Sequence, residues 1–481
     1  MSFKNQQEFI AALESRGELH RIAAEVDPLL EITEIADRIS KSNGPALLFE
    51  RVKGSSFPLL INAFGSFRRM EMALNCASFD EIGTRIEALL KTQPPGSLLE
   101  KIRLLFSLKQ MADLIPKKIR KAPCQEQVFD EKSDLLDLLP ILTCWPGDGG
   151  PYITLPLVVT RDPESGIQNL GMYRLQKYDR HSTGMHWQYN KDGARHFEKY
   201  RDRGEPMEIA VALGGAPAVT YASTAPLPPD VDELVFAGFL NGRAVEIVKA
   251  KTVDLWVPAE SDFIIEGYVD PGEEKLEGPF GDHTGFYSAA DLYPVFHVTC
   301  ITARRDAVYP ATIVGKPPME DCYMAKATER IFLPLLRMLV PEIVDMELPM
   351  EGVFHNCALV SIAKKYPGQA KKVIHALWGL GQMASTKYIA VFDQDLDLRD
   401  SRTVVWKLLN NVDPKRDFIL SEGPLDALDH SAPFPNFGGK LGIDATRKTR
   451  EEGMGRDWPE EIRMSQGIVE QVTRRWKDYG F

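Results

Sequence analysis

Glu277 and Asp282 are two carboxylates in the stretch Glu-Gly-Pro-Phe-Gly-Asp-His-Thr-Gly, residues 277–285. Gly278, Pro279, Gly281 and Gly285 rule out a helix interior and dictate a tight, sterically open loop. In such a loop the two acids can face one cavity as an acid/base pair. The alternative is a structural turn with two solvated carboxylates. Strand-like runs over 263–269 and 293–301 flank the loop and would hold it on rigid elements.

A second cluster occupies residues 169–193. If 169–176 is one strand, alternation puts Asn169, Gly171 and Tyr173 on one face and Leu170, Met172 and Arg174 on the other. Arg174 is then a surface residue or, opposite a buried glutamate, a fork-shaped partner for a carboxylate that can also hold a substrate acid. His186, next to Trp187, is either a core histidine or a ligand through one ring nitrogen. Asparagine, histidine and glutamate together suit a hard or borderline cation such as manganese or magnesium. Glu233 falls on the first turn of a helix read over 231–240, with Asp230 as its cap.

The elements that must position these residues divide in three. Residues 1–122 read as a small α/β domain. Phe9, Ile10 and Leu13 form a helical stripe stopped by Gly17, and Pro28 opens a helix striped by Ile32, Ile35 and Ile39. Strands follow over 46–52 and 59–64, then a helix with a Ser78/Glu81 capping box, a break at 93–97 and a helix over 98–113. The basic run 116–123 reads as a linker. Residues 123–316 hold at least seven short strands (153–160, 169–176, 209–222, 245–250, 263–269, 295–303 and 308–315), enough for a barrel or a sandwich. Residues 317–481 return to α/β, with helices over 321–339, 368–383 and 402–411 and buried strands over 358–362 and 388–393. From Pro459 a last helix carries Ile462, Val469, Val472 and Trp476, spaced for packing on another subunit or on its own domain.

The chain has 481 residues, 44% hydrophobic and 26% charged, which is a globular balance with room for several cores. Its net charge of -11 argues against non-specific nucleic-acid binding, because there is no basic excess to displace phosphate counterions. No secretory signal or long apolar span is visible, so a cytoplasmic location is expected. The six cysteines contain no C-x-x-C pair and read as reduced core thiols. Asp393, Asp395 and Asp397 do not fit a calcium loop, since Val404 stands where the last ligand should be. Walker, H-E-x-x-H, G-x-S-x-G and G-x-G-x-x-G patterns are absent.

Taken together, Asn169 with Tyr173-Arg174, residues 185–188 (Met-His-Trp-Gln), residues 232–238 (Asp-Glu-Leu-Val-Phe-Ala-Gly) and residues 277–285 resemble the UbiD family of decarboxylases. The likeness extends to Gly442-Ile-Asp-Ala-Thr446. It implies reversible, non-oxidative decarboxylation of an unsaturated or aromatic acid by prenylated FMN, with a divalent metal, usually manganese, and potassium on the cofactor phosphate. By the same resemblance Asn169, His186 and Glu233 hold the metal, and Ser223 lies at the potassium site. Met172, Tyr173, Arg174, His186, Trp187, Gln188, Lys191 and Asp192 contact the flavin. Lys191-Asp192 replaces a basic-glycine pair found in the ubiquinone enzymes. Arg174, Glu277 and Asp282 match the catalytic set.

Losing carbon dioxide from an sp² carbon needs an electron sink and a proton donor to carbon. Glu277 beside Arg174 is expected to stay ionised and Asp282, in a drier pocket, to donate the proton. Residues 178–188 are similar to menaquinone-pathway members acting on a dihydroxynaphthoate, with the 4-hydroxy-3-polyprenylbenzoate enzymes of ubiquinone synthesis as the alternative. A polyprenylated substrate would bring peripheral membrane contact. The resemblance also implies a flavin-reductase-like split β-barrel in the central domain, a flavin prenyltransferase as cofactor supplier, and a homodimer or homohexamer with the terminal helix at the contact. An FMN oxidoreductase of split-barrel type and a non-catalytic subunit of a decarboxylase complex are the competing readings.

Overall fold

The computed structural model of the chain describes residues 2–90, 112–188, 191–227 and 231–481. The helix read over 98–113 and the break at 93–97 lie almost wholly outside these residues, as does Asp230.

The two longest strands, Phe263–Glu277 and Asp291–Ala303, pair antiparallel, and the loop 278–290 joins them. The first strand is buried on both faces through Gly267 and then turns outward. Its last residue, Glu277, is again fully buried. The hairpin thus carries a carboxylate from the core to the base of the glycine-rich loop. Antiparallel neighbours extend the sheet in the order Ser182–Gly184, Asp291–Ala303, Phe263–Glu277, Met207–Leu213, Leu157–Arg161, Gln168–Met172, and Gln127–Asp130 also pairs with Asp291–Ala303. Among the described residues no strand pairing closes this path into a barrel.

Several expected elements are cut differently. The strand read over 169–176 ends at Met172, and Leu175–Gln176 pairs separately with Tyr152–Ile153. Tyr173 and Arg174 sit in the break, so simple alternation does not set the direction of Arg174. The run 209–222 is a strand only to Leu213; Gly214-Gly215 turns the chain and Pro217 opens the helix Pro217–Ala222. The basic stretch 116–123 is not merely a linker: Lys117–Ile119 pairs in parallel with Glu246–Val248, and Lys118 lies 4.4 Å over the Trp256 ring. The helix bearing Glu233 runs Glu233–Asn241 and is capped by Asp232, whose side chain accepts from the Leu234 and Val235 amides.

In the N-terminal region, helix Gln6–Ser15 buries Phe9, Ile10 and Leu13. It accompanies a four-stranded sheet ordered Leu19–Val26, Ala46–Val52, Leu59–Ile61, Tyr309–Pro310. The last strand arrives from residues far downstream and ties this region to the central one. The C-terminal sheet is ordered Ile343–Glu347, Cys357–Ile362, Tyr388–Asp393, Phe437–Asp444, Phe418–Pro424. Its inner pairs are parallel and its edge pairs antiparallel. The last helix spans Gln466–Arg474, shorter than the sequence suggested, and buries no residue of its own. Ile462, Met464, Ile468, Val469, Trp476, Tyr479 and Phe481 are exposed. The architecture is a mixed α/β multidomain fold, and none of the described helices is long and apolar enough to cross a membrane.

Candidate active site

Arg174 stands at the centre. Its Nε donates to Glu277 Oε1 at 3.0 Å, its Nη2 to Glu277 Oε2 and to Ser288 Oγ at 3.3 Å each, and its Nη1 to Asp282 Oδ2. The guanidinium also lies 4.6 Å over the Phe280 ring. One planar fork spans both carboxylates, which uses the donor geometry that separates arginine from lysine. Glu277 is 0% exposed, so its charge depends on these partners.

The loop is shaped by its neighbours. Gly278 has φ +97°, its amide donates to Gln176 Oε1 at 2.7 Å, and Gln176 is in turn 3.2 Å from Tyr152 Oη. Gly281 donates to Asp148 Oδ1 at 2.8 Å, and a Cβ there would stand 2.1 Å from the Trp145 ring. A side chain at 281 therefore has no space, and Glu277 and Asp282 keep a common direction.

His186 Nδ1 is 3.0 Å from Glu277 Oε2, and its ring stacks on Tyr293 at 4.2 Å. Asp282 Oδ1 is 2.9 Å from His283 Nδ1 and accepts the His283 amide at 2.8 Å. Burial raises the Glu277 carboxyl, but the His186 hydrogen bond and the Arg174 charge outweigh it and hold the group at about 2. Burial likewise opposes ionisation of Asp282, yet the His283 hydrogen bond and charge, with Arg174, hold it far below the ordinary carboxylate range. The expectation that Asp282 would have the higher pKa is thus not met, because the arginine fork reaches both acids and a histidine follows the second.

A separate pair is formed by Asn169, on strand Gln168–Met172, and Glu233, the first residue of helix Glu233–Asn241. Glu233 Oε2 accepts the Leu170 amide at 3.1 Å, and burial pushes its carboxyl up to about 7. Among the described residues the buried Nδ2 of Asn169 has no hydrogen-bond partner. Asn169 and Glu233 together border two cavities, of about 370 and 320 Å³, and His186 lines neither. Among the described residues no three His, Cys, Asp or Glu converge on one point. A buried carboxylate beside a side-chain amide that can turn its oxygen inward is a donor pair of the kind that suits a hard or borderline cation.

Tyr173 meets Trp187 edge-on at 5.1 Å and accepts the Gly193 amide at 3.2 Å. The Trp187 Nε1 is buried without a partner. The Met172 amide donates to Ser223 O at 3.2 Å, which joins these two positions. Gln188 is exposed. Lys191 and Asp192 open the helix Asp192–Arg203, and burial lowers the Lys191 ammonium against the attraction of Asp426.

Sequence reasoning missed the contribution of the C-terminal domain. His355 Nε2 is 2.8 Å from His283 Nε2, the Phe354 ring stacks on His283 at 5.0 Å, and His430 lies 3.9 Å from the Phe286 ring. A histidine among apolar residues at 353–358 was the only signal available.

The central region, residues 117–317, matches the family model of the 3-octaprenyl-4-hydroxybenzoate carboxy-lyase Rift-related domain, and residues 10–86 and 322–445 match that enzyme's N-terminal and C-terminal domain models. A protein of Archaeoglobus fulgidus is 51% identical over 480 residues, covering 99% of each chain. The UbiD-class enzyme HmfF of Pelotomaculum thermopropionicum, solved with FMN, superposes with a TM-score of 0.81 at 30% identity, covering 99% of this chain and 100% of that one. Its evolved dimeric form, solved with prFMN, gives 0.80 at 30% identity over 97% and 98%. Vanillic acid decarboxylase of Sedimentibacter hydroxybenzoicus gives 0.85 in its closed form, at 28% identity over 99% of each chain. The open form of that enzyme gives 0.80 at 27% identity over 99% and 100%. With all three of its regions matched in order, the chain belongs to the UbiD family of carboxy-lyases.

Proposed function

We propose that this carboxy-lyase uses prenylated FMN to remove the carboxylate of a phenolic or naphthoic acid, reversibly and without net oxidation. The observation that carries the reading is the Arg174 fork shared by Glu277 and Asp282. The prFMN and FMN bound by HmfF and the aromatic acid named for the vanillic acid enzyme support it. The oxidoreductase and non-catalytic readings gain nothing from the family assignment.

Asn169 and Glu233 would hold a divalent cation, manganese by family habit, with His186, which in this structure stands against Glu277, as the third expected ligand, and Ser223 would face potassium. Met172, Tyr173, Arg174, His186, Trp187, Gln188, Lys191 and Asp192 would line the flavin, and the unpartnered Trp187 Nε1 fits a bound acceptor there. The prenylated flavin, when bound, supplies the sink for the electron pair left as carbon dioxide departs. The protein's own residues do the rest. Arg174 grips the substrate carboxylate, which divides its hold on Asp282. Glu277 stays anionic and keeps Arg174 and His186 oriented. Asp282, once protonated, delivers its proton to the carbon that carried the carboxylate.

In this reading the central domain is the split-barrel cofactor domain, a flavin prenyltransferase supplies the cofactor, and the exposed tail helix meets another copy of the chain in a cytoplasmic homo-oligomer. The substrate is the dihydroxynaphthoate of the menaquinone route or the polyprenylated hydroxybenzoate of the ubiquinone route. The test is to co-produce the protein with the flavin prenyltransferase and manganese, then take the mass and absorbance spectrum of the small molecule it releases. Prenylated FMN with bound metal is expected. Ordinary FMN alone, or no flavin, overturns the cofactor assignment.

A further inference from the structure

The resemblance places His186 on a cation with Asn169 and Glu233, but its neighbours belong to the reaction centre. Its Nδ1 meets Glu277 Oε2 at 3.0 Å. A carboxylate gripped by a guanidinium only accepts, so Nδ1 carries the proton and donates. Glu277 also takes Arg174 Nε on Oε1 at 3.0 Å and Arg174 Nη2 on Oε2 at 3.3 Å. Arginine and histidine thus fix the plane of one buried carboxylate between them.

We propose that His186 is a positioning residue of the reaction centre, holding the Glu277 carboxylate against Arg174, and that the cation is bound by Asn169 and Glu233 without a His186 nitrogen. The inference rests on the decarboxylase reading above.

The hairpin that supplies Glu277 also pins the imidazole. The His186 ring stacks on Tyr293 with 4.2 Å between centroids and 27° between planes. Tyr293 faces Lys275 across the paired strands Phe263–Glu277 and Asp291–Ala303, close to Glu277 on the first of them. The Met185 amide donates to the Pro294 carbonyl at 2.9 Å, and the His186 amide lies 3.4 Å from the Arg174 carbonyl. Backbone, ring face and Nδ1 are therefore all committed to the hairpin and to Arg174. A turn of the ring toward another partner gives up the Tyr293 face and the Glu277 hydrogen bond together.

The cation side is built from other elements. Asn169 lies near the start of strand Gln168–Met172, and Glu233 accepts the Leu170 amide next to it. Gln168 and Asp232 line both cavities that this pair borders, and His186 lines neither. A carboxylate on Nδ1 is also the usual support of a metal-bound imidazole, whose Nε2 then meets the ion. Here the histidine that reaches the Asn169–Glu233 cavity is a different one, His196 of helix Asp192–Arg203, with Nδ1 2.9 Å from Thr160 Oγ1. His186 and the cation pair thus face different spaces.

The test loads the parent, His186→Asn and His186→Ala with prenylated FMN and Mn²⁺. Besides activity it measures Mn²⁺ retained after dialysis and the pulsed EPR spectrum of the bound ion in protein carrying ¹⁵N-labelled histidine. Parental Mn²⁺ content is expected in both variants, and any histidine coupling seen in the parent persists in them. Turnover should fall by about tenfold or more in His186→Ala. His186→Asn should recover most of that loss, because its side-chain N–H can stand where Nδ1–H stood. A fall in Mn²⁺ affinity of about 10–100-fold in His186→Asn, or a histidine coupling lost with His186, overturns the proposal. Parental turnover in His186→Ala overturns it too. Should alanine fail to fold, the asparagine variant and its EPR spectrum still decide the cation assignment. A parent that holds Mn²⁺ and prenylated FMN yet releases no carbon dioxide contradicts the decarboxylase reading instead, with the Mn²⁺ comparison still readable.

Discussion

The Arg174–Glu277–Asp282 centre and the Asn169–Glu233 pair both bury charge, and they handle it in opposite ways. In the first, every carboxylate oxygen accounted for above meets an arginine or histidine donor, and both acids are driven below their ordinary range. In the second, burial pushes the Glu233 carboxyl up to about 7 although it accepts the Leu170 amide, and among the described residues the adjacent Asn169 Nδ2 has no partner. A buried ionisable group without partners is costly. The first centre thus balances its charges within the chain, whereas at the second burial works against charge.

The contrast can be broken most sharply at Glu277. Glu277→Gln should lower turnover by about 10²–10⁴-fold while the protein still binds flavin, because a glutamine oxygen can still accept from Arg174 or His186 when the charge is removed. Loss of flavin with turnover would show that the two regions are not separable. Glu233→Gln should do the reverse. Cation affinity should fall by at least the roughly 10–100-fold seen for disturbed metal shells, measured by metal content after dialysis. The unloaded variant should melt no lower than the parent, since a neutral amide replaces a carboxylate that burial disfavours.

The stability of the unloaded chain should show opposite pH signs for the two regions. Glu277 has a folded pKa of about 2, below its unfolded value of 4.5. Its contribution is present above pH 4.5 and is lost as pH falls through about 2, on the order of 3 kcal/mol. Glu233 has a folded pKa of about 7, above 4.5. Its contribution is present below pH 4.5 and is lost as pH rises through about 7. Burial also raises the carboxyls of Asp262, Glu329 and Asp321 into this window, so chemical unfolding should show the second slope made shallower, not abolished, in Glu233→Gln; an unchanged slope would assign it wholly to the others. The smallest effect is at Asp232, which caps the helix carrying Glu233. Asp232→Ala should cost about 1 kcal/mol in the same unfolding measurement.

The sequence made some of this legible and concealed the rest for physical reasons. The loop at 277–285 could be read because glycine and proline restrict the backbone locally, and its placement between strands followed from β-rich flanks. The N-terminal helix stripe and its Gly17 stop were legible for the same local reason. The orientation of Arg174 was not, since it depends on a strand break between Met172 and Leu175 that no residue type announces. The relative pKa order of Glu277 and Asp282 was misread because one arginine reaches both acids and His283 is folded back onto the second. His355 escaped notice because its contact with His283 spans 72 residues of sequence and follows two left-handed residues. Short periodicity carries no information about such a contact.

The most direct test of the account is decarboxylation of phenolic and naphthoic acids in D₂O by the prenylated-FMN-loaded protein, with Asp282→Asn alongside at equal flavin content. The account predicts carbon dioxide and one deuterium at the carbon that bore the carboxylate for the parent, and loss of both in the variant. Normal turnover and normal deuterium incorporation by Asp282→Asn would contradict it.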